Sequence, residues 1–482
     1  MEREWREGRS LDIRRKDKGD KKEIGGVEVK YDVLIKNGNV VMAGEVKRTS
    51  IGIKDGIICE ISEQISGKAE LEWDAQGQYV FPGMVDVHVH FSEPGREHWE
   101  GFETGSFMMA AGGCTTYFDM PLNGIPSTVD VKALYEKANI GERKSYVDFG
   151  LWGGLVPGNE GELASLAEAG VVGFKAFLSP SGNSEFEAAD DETLLRGMKE
   201  IAGCQKILAL HAESGPIVEQ LRQEKETAGL CSVDDYAASR PIVAEVEAVG
   251  RAIAYAELTG CSLHFVHISS AEAVGKIRQA KKDGLDITLE TCPHYLLFNH
   301  EHLREIGAAA KCAPPLREAG DQKKLINMLL HDEIDMISSD HSPSPGELKE
   351  DSNVFKVWGG ISGGQFSLLS MVELALQYDI PFEKIARWTA EAPSKRFGLY
   401  PRKGAIMTGA DADIAIVSLE ESHTIKKEDL YSRHKHSLYV NHTFPCRIMG
   451  TFSKGNLVYA RGKRMTGISK GEWIKGKKLS YT

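Results

Sequence analysis

Between residues 82 and 400, short apolar runs alternate with segments of helical length, and this alternation limits the possible folds more than any other feature of the chain. Strands of a parallel sheet covered on both faces are apolar throughout, and a helix leads from each strand to the next. The chain contains eight such runs: MVDVHVHF (84–91), CTTYFDM (114–120), VDFGLWGGL (147–155), VVGFKAFL (171–178), KILALHA (206–212), SLHFVHI (262–268), DITLET (286–291) and IDMISSD (334–340). The pattern predicts an α/β fold, a (β/α)8 TIM-like barrel with functional side chains at the carboxyl ends of its strands.

A different pattern flanks this region on both sides. Residues 29–80 and 402–465 contain alternating runs broken by glycine turns, which are typical of antiparallel strands. Since such a unit both precedes and follows the barrel, we predict that the two ends combine into one small, discontinuous β-sandwich domain, and that residues 81–401 form the catalytic barrel. Residues 1–28 are densely charged and poor in apolar residues, which predicts an N-terminal tail. Residues 466–482 are expected to form a C-terminal tail.

Charge and cysteine content restrict the partners. The formal net charge is −12, so nucleic acid and anionic membranes would repel the protein, and a small-molecule substrate is expected instead. No apolar run reaches the roughly 18 residues of a membrane span, and the N-terminus lacks the apolar core of a secretion signal. The 8 cysteines are scattered without a C-x-x-C pair, which favours reduced thiols and a cytoplasmic location.

Polar residues occur at the ends of several predicted barrel strands. His88 and His90 lie one residue apart, and alternate side chains of a strand point to the same face, so the two imidazoles should project together. In a barrel, side chains at the carboxyl ends of the strands converge on one opening. Six residues are predicted to meet there: His88, His90, Lys175, His211, His267 and Asp340.

Each of these residues also has an ordinary structural explanation. A lone buried histidine such as His267 can be a hydrogen-bonded core residue, and Asp340 can be a helix cap before HSPSP. The conjunction of four histidines, an aspartate and a lysine at the strand ends favours a metal site instead. Two further His-x-His pairs lie in polar segments without a strand pattern, and we do not expect them to bind metal: His300 with His302, and His434 with His436.

Lys175 is the least expected of the six, because it lies inside the apolar run GVVGFKAFL. Burying an unpaired charge is unfavourable, so the lysine must be neutralised or used. One possibility is a Schiff-base lysine, which needs no histidine cluster. The other is reaction with carbon dioxide to give a carbamate, an anionic group able to bridge two cations, and the surrounding histidines favour it.

The motifs GMVDVHVHFSEPG, GFKAFL, LHAES, HFVHIS, ETCPHY and SSDHSP, in this order, resemble those of the cyclic amidohydrolases, which include dihydroorotases, hydantoinases, dihydropyrimidinases and allantoinases. The resemblance extends from about residue 30 to residue 460. It implies that His88 and His90 bind one divalent metal ion together with Asp340, and that His211 and His267 bind a second. Carboxylated Lys175 would bridge the two ions.

The resemblance also implies a chemistry and an assembly. Two cations about 3.5 to 4 Å apart can share a hydroxide that attacks a cyclic amide at neutral pH. Zinc is the expected metal, although cobalt, manganese, iron and nickel suit the same ligands. Asp340 would serve as general base and then as general acid, and the family resemblance implies a homotetramer.

The expected substrate is indicated by one departure from the dihydroorotase motif and by two further motifs. Dihydroorotases typically carry H-x-H-x-R, and Ser92 stands at the position of that arginine, which disfavours an anionic ring. The pieces SEPGREHWEG and DMPLNGIPST are most similar to those of allantoinases, which open the ring of allantoin in purine catabolism. A related hydantoinase or dihydropyrimidinase is the alternative. A different alternative is a metal-free homologue that acts as a structural or binding protein, but all six ligand positions are filled.

Four residues are candidates for substrate contacts. Asn123 in MPLNGIP could offer its amide, or could be only a turn residue before Gly124. Ala313 in KCAPPLR has no polar side chain, so its loop would have to bind the ring through backbone groups. Gly359 and Gly360 in WGGISGGQ could present backbone N–H groups to the substrate or could serve only a tight loop.

Overall fold

The computed structural model describes residues 30–461 and 470–478. The strands are β1 Lys30–Met42, β2 Glu45–Lys54, β3 Ile57–Ser62, β4 Lys68–Asp74, β5 Tyr79–Pro82, β6 Met84–Val89, β7 Cys114–Asp119, β8 Asp148–Leu151, β9 Gly153–Gly154, β10 Phe174–Phe177, β11 Ile207–His211, β12 Ser262–Phe265, β13 Ile287–Thr291, β14 Met336–Ile337, β15 Ile414–Ser418, β16 His423–Thr424, β17 Thr443–Phe444, β18 Arg447–Ser453 and β19 Asn456–Ala460. The α-helices are α1 Phe102–Ala111, α2 Val131–Lys144, α3 Leu163–Ala169, α4 Asp191–Gly203, α5 Gly215–Thr227, α6 Val233–Ala238, α7 Ile242–Thr259, α8 Ala271–Lys282, α9 Pro293–Leu297, α10 His300–Ile306, α11 Ala319–Leu330, α12 Ser367–Tyr378, α13 Phe382–Ala386 and α14 Ala392–Arg396.

The barrel consists of parallel strands in the predicted order. Strands β6, β7 and β8 pair in one sheet, and β9 to β14 pair in a second. Only Trp152 separates β8 from β9, and its backbone N–H still donates to the carbonyl of Asp119 in β7 at 3.1 Å. His90 N donates to the carbonyl of His341 at 2.7 Å and thereby joins the first strand to the segment after the last. The (β/α)8 TIM-like barrel predicted from the sequence is confirmed.

The strands are shorter than the apolar runs that predict them. The run at 262–268 forms a strand only to Phe265, and the run at 334–340 forms one only over Met336–Ile337. His267 and Asp340 therefore lie beyond the strand ends, with left-handed φ values of 42° and 46°. Such values are uncommon outside glycine and occur often at functional sites.

A separate sheet unites the two ends of the chain. Its strand order is β19-β18-β15-β5-β1-β2-β3, and β4 pairs with the first half of β1. The junction is the antiparallel pairing of β5 with β15, in which Val80 lies opposite Ile416. Apolar side chains of both chain ends, such as Trp73 and Phe452, are packed into one cluster on this sheet.

Contacts near the barrel floor tie the two parts together. Lys403 is fully buried, and its Nζ lies 2.8 Å from Asp148 at the start of β8. The same Nζ lies 3.0 Å from Asp411 and 2.7 Å from Asp413, just before β15 of the sheet. These three carboxylates compensate the buried ammonium, whose pKa is raised despite its burial.

The sequence predicts a tail at each end of the chain, and the structure describes part of the C-terminal one. The N-terminal prediction lies outside the described residues. Of the predicted C-terminal tail, residues 470–478 instead lie along the barrel, where Ile474 N donates to the carbonyl of Phe149 at 2.7 Å. Trp473 and Ile474 give this segment the apolar side chains that a solvated tail lacks. Among the described helices, none combines the length and the apolar character that crossing a membrane requires.

Candidate metal centre

The six residues predicted at the strand ends lie in one cavity of about 350 Å³. Lys175 lies within β10, His211 is the last residue of β11, and His88 is in β6 with His90 directly after it. All six line the cavity: His88, His90, Lys175, His211, His267 and Asp340.

One group of potential ligands is formed by His88, His90 and Asp340, whose ligand atoms lie within 4.8 Å of one another. Asp340 Oδ1 lies 3.2 Å from Nε2 of His88 and 3.3 Å from Nε2 of His90. The other ring nitrogen of His88, Nδ1, lies 2.6 Å from Oε1 of Glu290. A carboxylate in this position fixes the tautomer with the proton on Nδ1, which leaves the Nε2 lone pair for a metal ion.

A second group is formed by His211 and His267. Nδ1 of His211 lies 3.0 Å from Nε2 of His267, and Nε2 of His211 lies 2.8 Å from Oε2 of Glu213. Glu213 also accepts a hydrogen bond from Arg240. This ion pair keeps Glu213 ionised: although burial favours the neutral acid, Arg240 and His211 lower the pKa of Glu213 to about 2.

Lys175 lies between these groups with its ammonium buried. Its Nζ has no hydrogen-bond partner among the described residues, and it lies 5.0 Å from the ring centre of Phe177. Burial lowers the pKa of Lys175 to about 8, although Asp340 and Glu290 oppose this shift. An unpaired cation in such a place is unfavourable, which agrees with a lysine that is chemically modified or pairs with a group not formed by the protein.

The charge states of the site suit metal binding. Burial lowers the pKa of His88, His211 and His267, so their imidazoles are neutral and keep a lone pair on one nitrogen. Burial favours the neutral form of Asp340 too, but the adjoining His88 and His90 hold its pKa well below the ordinary value. Neutral imidazole nitrogens and an ionised carboxylate form a donor set that fits divalent cations.

The candidate substrate residues also border the cavity, but they differ in what they can offer. The Asn123 amide makes no hydrogen bond to a described residue, and its φ is 63°. Gly360 N donates to the carbonyl of Lys311 at 2.8 Å, so this amide is already used within the protein. A Cβ at Gly360 would lie 2.3 Å from the Ser342 carbonyl oxygen, whereas at Gly359 it would meet no atom within 4 Å. Gly360 therefore serves a close approach of two chain segments, and Ala313 contributes no polar side chain.

The other two His-x-His pairs lie outside the lining of this cavity. Ring nitrogens of three of these residues lie at hydrogen-bond distance from protein acceptors: His300 from Asp234, His434 from the carbonyl of His98, and His436 from the carbonyl of Ser344. Nδ1 of His302 instead accepts the backbone N–H of Asn299.

The sequence analysis missed the carboxylates behind the ligands. Glu290 has the same signal as Lys175, a charge inside an apolar strand, and could have been found by it. Glu213 lies two residues after His211 in LHAES. Asp86, which accepts the backbone N–H of Ser339 at 3.1 Å, holds β6 against the segment that carries Asp340. No sequence signal pointed to Arg240.

A closed (β/α)8 barrel with histidine, lysine and aspartate at the carboxyl ends of its strands defines a metal-dependent barrel enzyme. A sequence profile described as the amidohydrolase family matches residues 79–458. The chain belongs to the amidohydrolase family.

Relatives and solved structures refine this assignment. An allantoinase of Bacillus velezensis is 58% identical over 445 residues, which cover 92% of this chain and 98% of that protein. An allantoinase of Deinococcus radiodurans is 44% identical over 449 residues, or 93% of this chain and 99% of that protein. The structure of an L-hydantoinase (dihydropyrimidinase) from Arthrobacter aurescens superimposes with a TM-score of 0.89 at 33% identity, covering 92% of this chain and 100% of that one. A D-hydantoinase structure gives a TM-score of 0.85 at 28% identity, covering 93% and 99%.

Proposed function

We propose that this protein hydrolyses the cyclic amide bond of allantoin and releases allantoate. The observation that carries the proposal is the convergence of four histidines, a lysine and an aspartate on one cavity. The choice of allantoin as the substrate is supported by the allantoinase of Bacillus velezensis, which is identical to this chain at 58% of the aligned residues. The enzyme is a hydrolase of cyclic amides.

We propose two divalent cations in this cavity, with zinc as the metal. His88, His90 and Asp340 would hold one ion, and His211 and His267 the other. Lys175 would bridge them as a carbamate, which forms when Nζ attacks the carbon of carbon dioxide and loses a proton. The absence of a described partner for Nζ supports this modification, because a carbamate replaces a buried positive charge with a negative one that the cations neutralise.

When bound, the cations would activate a water molecule and polarise the amide carbonyl. The residues of the chain then have separate tasks. Asp340 accepts a proton from the attacking water and gives it to the ring nitrogen as the C–N bond breaks, so that one water is consumed and a carboxylic acid and an N–H group are formed. The acid then releases the second proton of the water to solvent and becomes a carboxylate. Glu290 and Glu213 keep His88 and His211 in the tautomers whose lone pairs face the cavity.

A hydantoinase or dihydropyrimidinase activity is the second candidate, because the solved structures named above are of hydantoinases. An anionic ring such as dihydroorotate is the less favoured substrate, because Ser92 takes the place of the arginine in the dihydroorotase pattern H-x-H-x-R. Ser92 is buried and offers no charge. A metal-free binding protein is the candidate of a different class, and it predicts that the purified protein contains no metal.

We also propose that the enzyme is a cytoplasmic homotetramer. The tetramer rests on the family resemblance. The compartment is supported by the 8 cysteines, none of which forms a disulfide in the described part of the chain.

One experiment separates these candidates. The metal content is measured on the protein as purified, and again after incubation with zinc. The zinc-treated protein is then assayed for ring opening with allantoin, hydantoin, dihydrouracil and dihydroorotate under identical conditions. Allantoin should give the highest kcat/KM. Faster turnover of hydantoin or dihydrouracil would identify a hydantoinase, and a metal-free, inactive protein would favour the binding function.

A further inference from the structure

One wall of the cavity is an irregular segment, residues 353–360. Six successive residues of this segment, from Phe355 to Gly360, line the cavity. The segment forms neither helix nor strand, so no ladder of backbone hydrogen bonds fixes its position. Its conformation must depend on contacts from other parts of the chain.

The first of these contacts comes from Lys311, which is buried and itself lines the cavity. Its Nζ donates to the carbonyl oxygen of Val357 and lies 3.5 Å from the carbonyl oxygen of Phe355. The ammonium also lies 4.5 Å from the ring centre of Tyr236, whose hydroxyl donates to the backbone carbonyl of Cys312 at 2.9 Å. Lys311 is thus held between the segment and a neighbouring wall of the cavity.

The second contact comes from Lys349, which is half-buried on a short 3-10 turn. Its Nζ donates to the carbonyl oxygens of Trp358 at 2.8 Å and Gly360 at 2.9 Å. A third bond, 3.3 Å long, reaches the carbonyl of Ala308. Together, the two lysines bind four carbonyl groups within six residues of the segment.

Neither ammonium forms an ion pair with a carboxylate of the described chain. Burial lowers the pKa of Lys311 to about 7, assisted by the positive charges of Arg240 and Lys349, and burial lowers the pKa of Lys349 to about 8. Uncompensated cations at such positions are costly, and loop carbonyls are their main stabilising partners. Burying these two ammonium groups against the segment therefore lowers the stability of the fold.

The lysines also determine which polar groups of the segment remain available. Since the carbonyls of Trp358 and Gly360 face Lys349, they are not available to a ligand, whereas the indole N–H of Trp358 has no partner among the described residues. The Gly360 amide is bonded to the Lys311 carbonyl. The Gly359 amide has no partner among the described residues, and the space at its Cα is open.

We propose that Lys311 and Lys349 are positioning residues that hold segment 353–360 against the cavity, so that the Gly359 amide is a fixed donor for a polar tail on the substrate ring. The inference rests on the proposed function, because the ureido tail distinguishes allantoin from hydantoin. A segment released from its lysines loses the tail contact but leaves the metal ligands and the ring-opening chemistry in place.

The test uses Lys311→Met and Lys349→Met, which keep much of the side-chain length and remove the ammonium. The control is Lys323→Met, an exposed lysine on α11. Hydrogen exchange of the peptide that contains residues 353–360 should accelerate in both variants and not in the control. The kcat/KM for allantoin should fall about tenfold to a hundredfold, mainly through KM, whereas that for hydantoin and the metal content should stay at wild-type values.

A pH profile adds a readout that a purely structural role would not change. The charged groups facing Lys311 are Arg240, which stays protonated, and Lys349, whose pKa burial lowers to about 8. As pH rises through about 7 to 8, the Lys311 ammonium becomes an amine, which is a weaker donor, so the wild-type KM for allantoin should rise. In Lys311→Met this rise should become smaller, because only Lys349 is left to lose its proton.

Two results would overturn the inference. Unchanged exchange in both variants would show that the lysines do not hold the segment. Accelerated exchange together with an equal fall in kcat/KM for allantoin and for hydantoin would show that the segment does not select for the ureido tail. If the wild-type protein does not open allantoin at all, the proposed function is wrong, and the exchange experiment, which needs no substrate, still decides whether the lysines hold the segment.

Discussion

His88 and Glu290 meet inside the barrel although their strands, β6 and β13, are not neighbours, and Nδ1 of His88 lies 2.6 Å from Oε1 of Glu290. The second carboxylate oxygen of Glu290 lies 3.0 Å from Nε2 of His264. Burial disfavours the charge on Glu290, but His88 and His264 hold its pKa far below the ordinary value. One fully buried carboxylate thus orients a candidate metal ligand and remains ionised.

The Glu290→Gln variant tests this orientation. The amide keeps the volume of the side chain but removes the negative charge that strengthens the bond to His88. We expect metal affinity to fall about tenfold to a hundredfold, measured by metal titration of the apoprotein. Glu245→Gln is the matched control, because Glu245 is equally buried but accepts hydrogen bonds from Ser269 and Ser270 instead. Equal affinities in the two variants would contradict the role of Glu290.

Lys175→Ala should abolish activity and reduce the metal content, because the variant lacks the amine from which the proposed bridging carbamate forms. Short carboxylates such as acetate or propionate should restore part of the activity by taking the place of the carbamate. Lys206→Ala removes another buried lysine, whose Nζ binds the carbonyls of Val171 and Gly476, and it should keep its metal and not respond to acetate. Wild-type metal and turnover in Lys175→Ala would refute the bridging role.

Asp340→Asn should lower kcat about 10²- to 10⁴-fold, the range expected when a general base is removed, and by more if metal is also lost. The amide retains the shape of the side chain but cannot accept the proton of the attacking water. The kcat is measured in stopped assays with allantoin and is corrected for the metal content of the variant. A kcat near that of the wild type in a metal-loaded variant would exclude Asp340 as the proton carrier.

Stability should respond to pH through Lys206, which is buried and has a pKa lowered by burial from 10.5 to about 8. Between these values the unfolded chain binds the proton and the folded protein does not, so the free energy of unfolding contributed by this lysine increases as pH rises. Lys206→Met should therefore cost more stability at about pH 10 than at about pH 7. Urea unfolding at both values, with Lys323→Met as the control, measures the difference. A cost independent of pH would show that the pKa is not lowered.

The sequence predicted the barrel and the clustering of six side chains because both depend on local patterns. A charge inside an apolar strand revealed Lys175, and the same pattern was present at Glu290 but was interpreted only as a strand. The left-handed backbone at His267 and Asp340 could not be predicted, since tertiary contacts impose it on residues that otherwise avoid it.

The lysines behind segment 353–360 illustrate a second limit. Lys349 lies in the polar stretch GELKEDSN, where a lysine usually indicates a solvated surface, and Lys311 lies in AAAKCAPP, which has the pattern of neither an apolar strand nor an amphipathic helix. Their burial results from contacts between loops that are distant in the barrel sequence, and composition or periodicity carries no trace of such contacts. Arg240 was missed for the same reason.

The pairing of β5 with β15 has a consequence for the synthesis of the chain. The strands β1 to β5 leave the ribosome early, but the strand that covers β5 follows only after the whole barrel has been made. At on the order of 5–20 residues per second, the edge of β5 stays uncovered for tens of seconds. During that interval it is a template for pairing with other chains, so a nascent protein of this architecture should depend on chaperones until its last strands arrive.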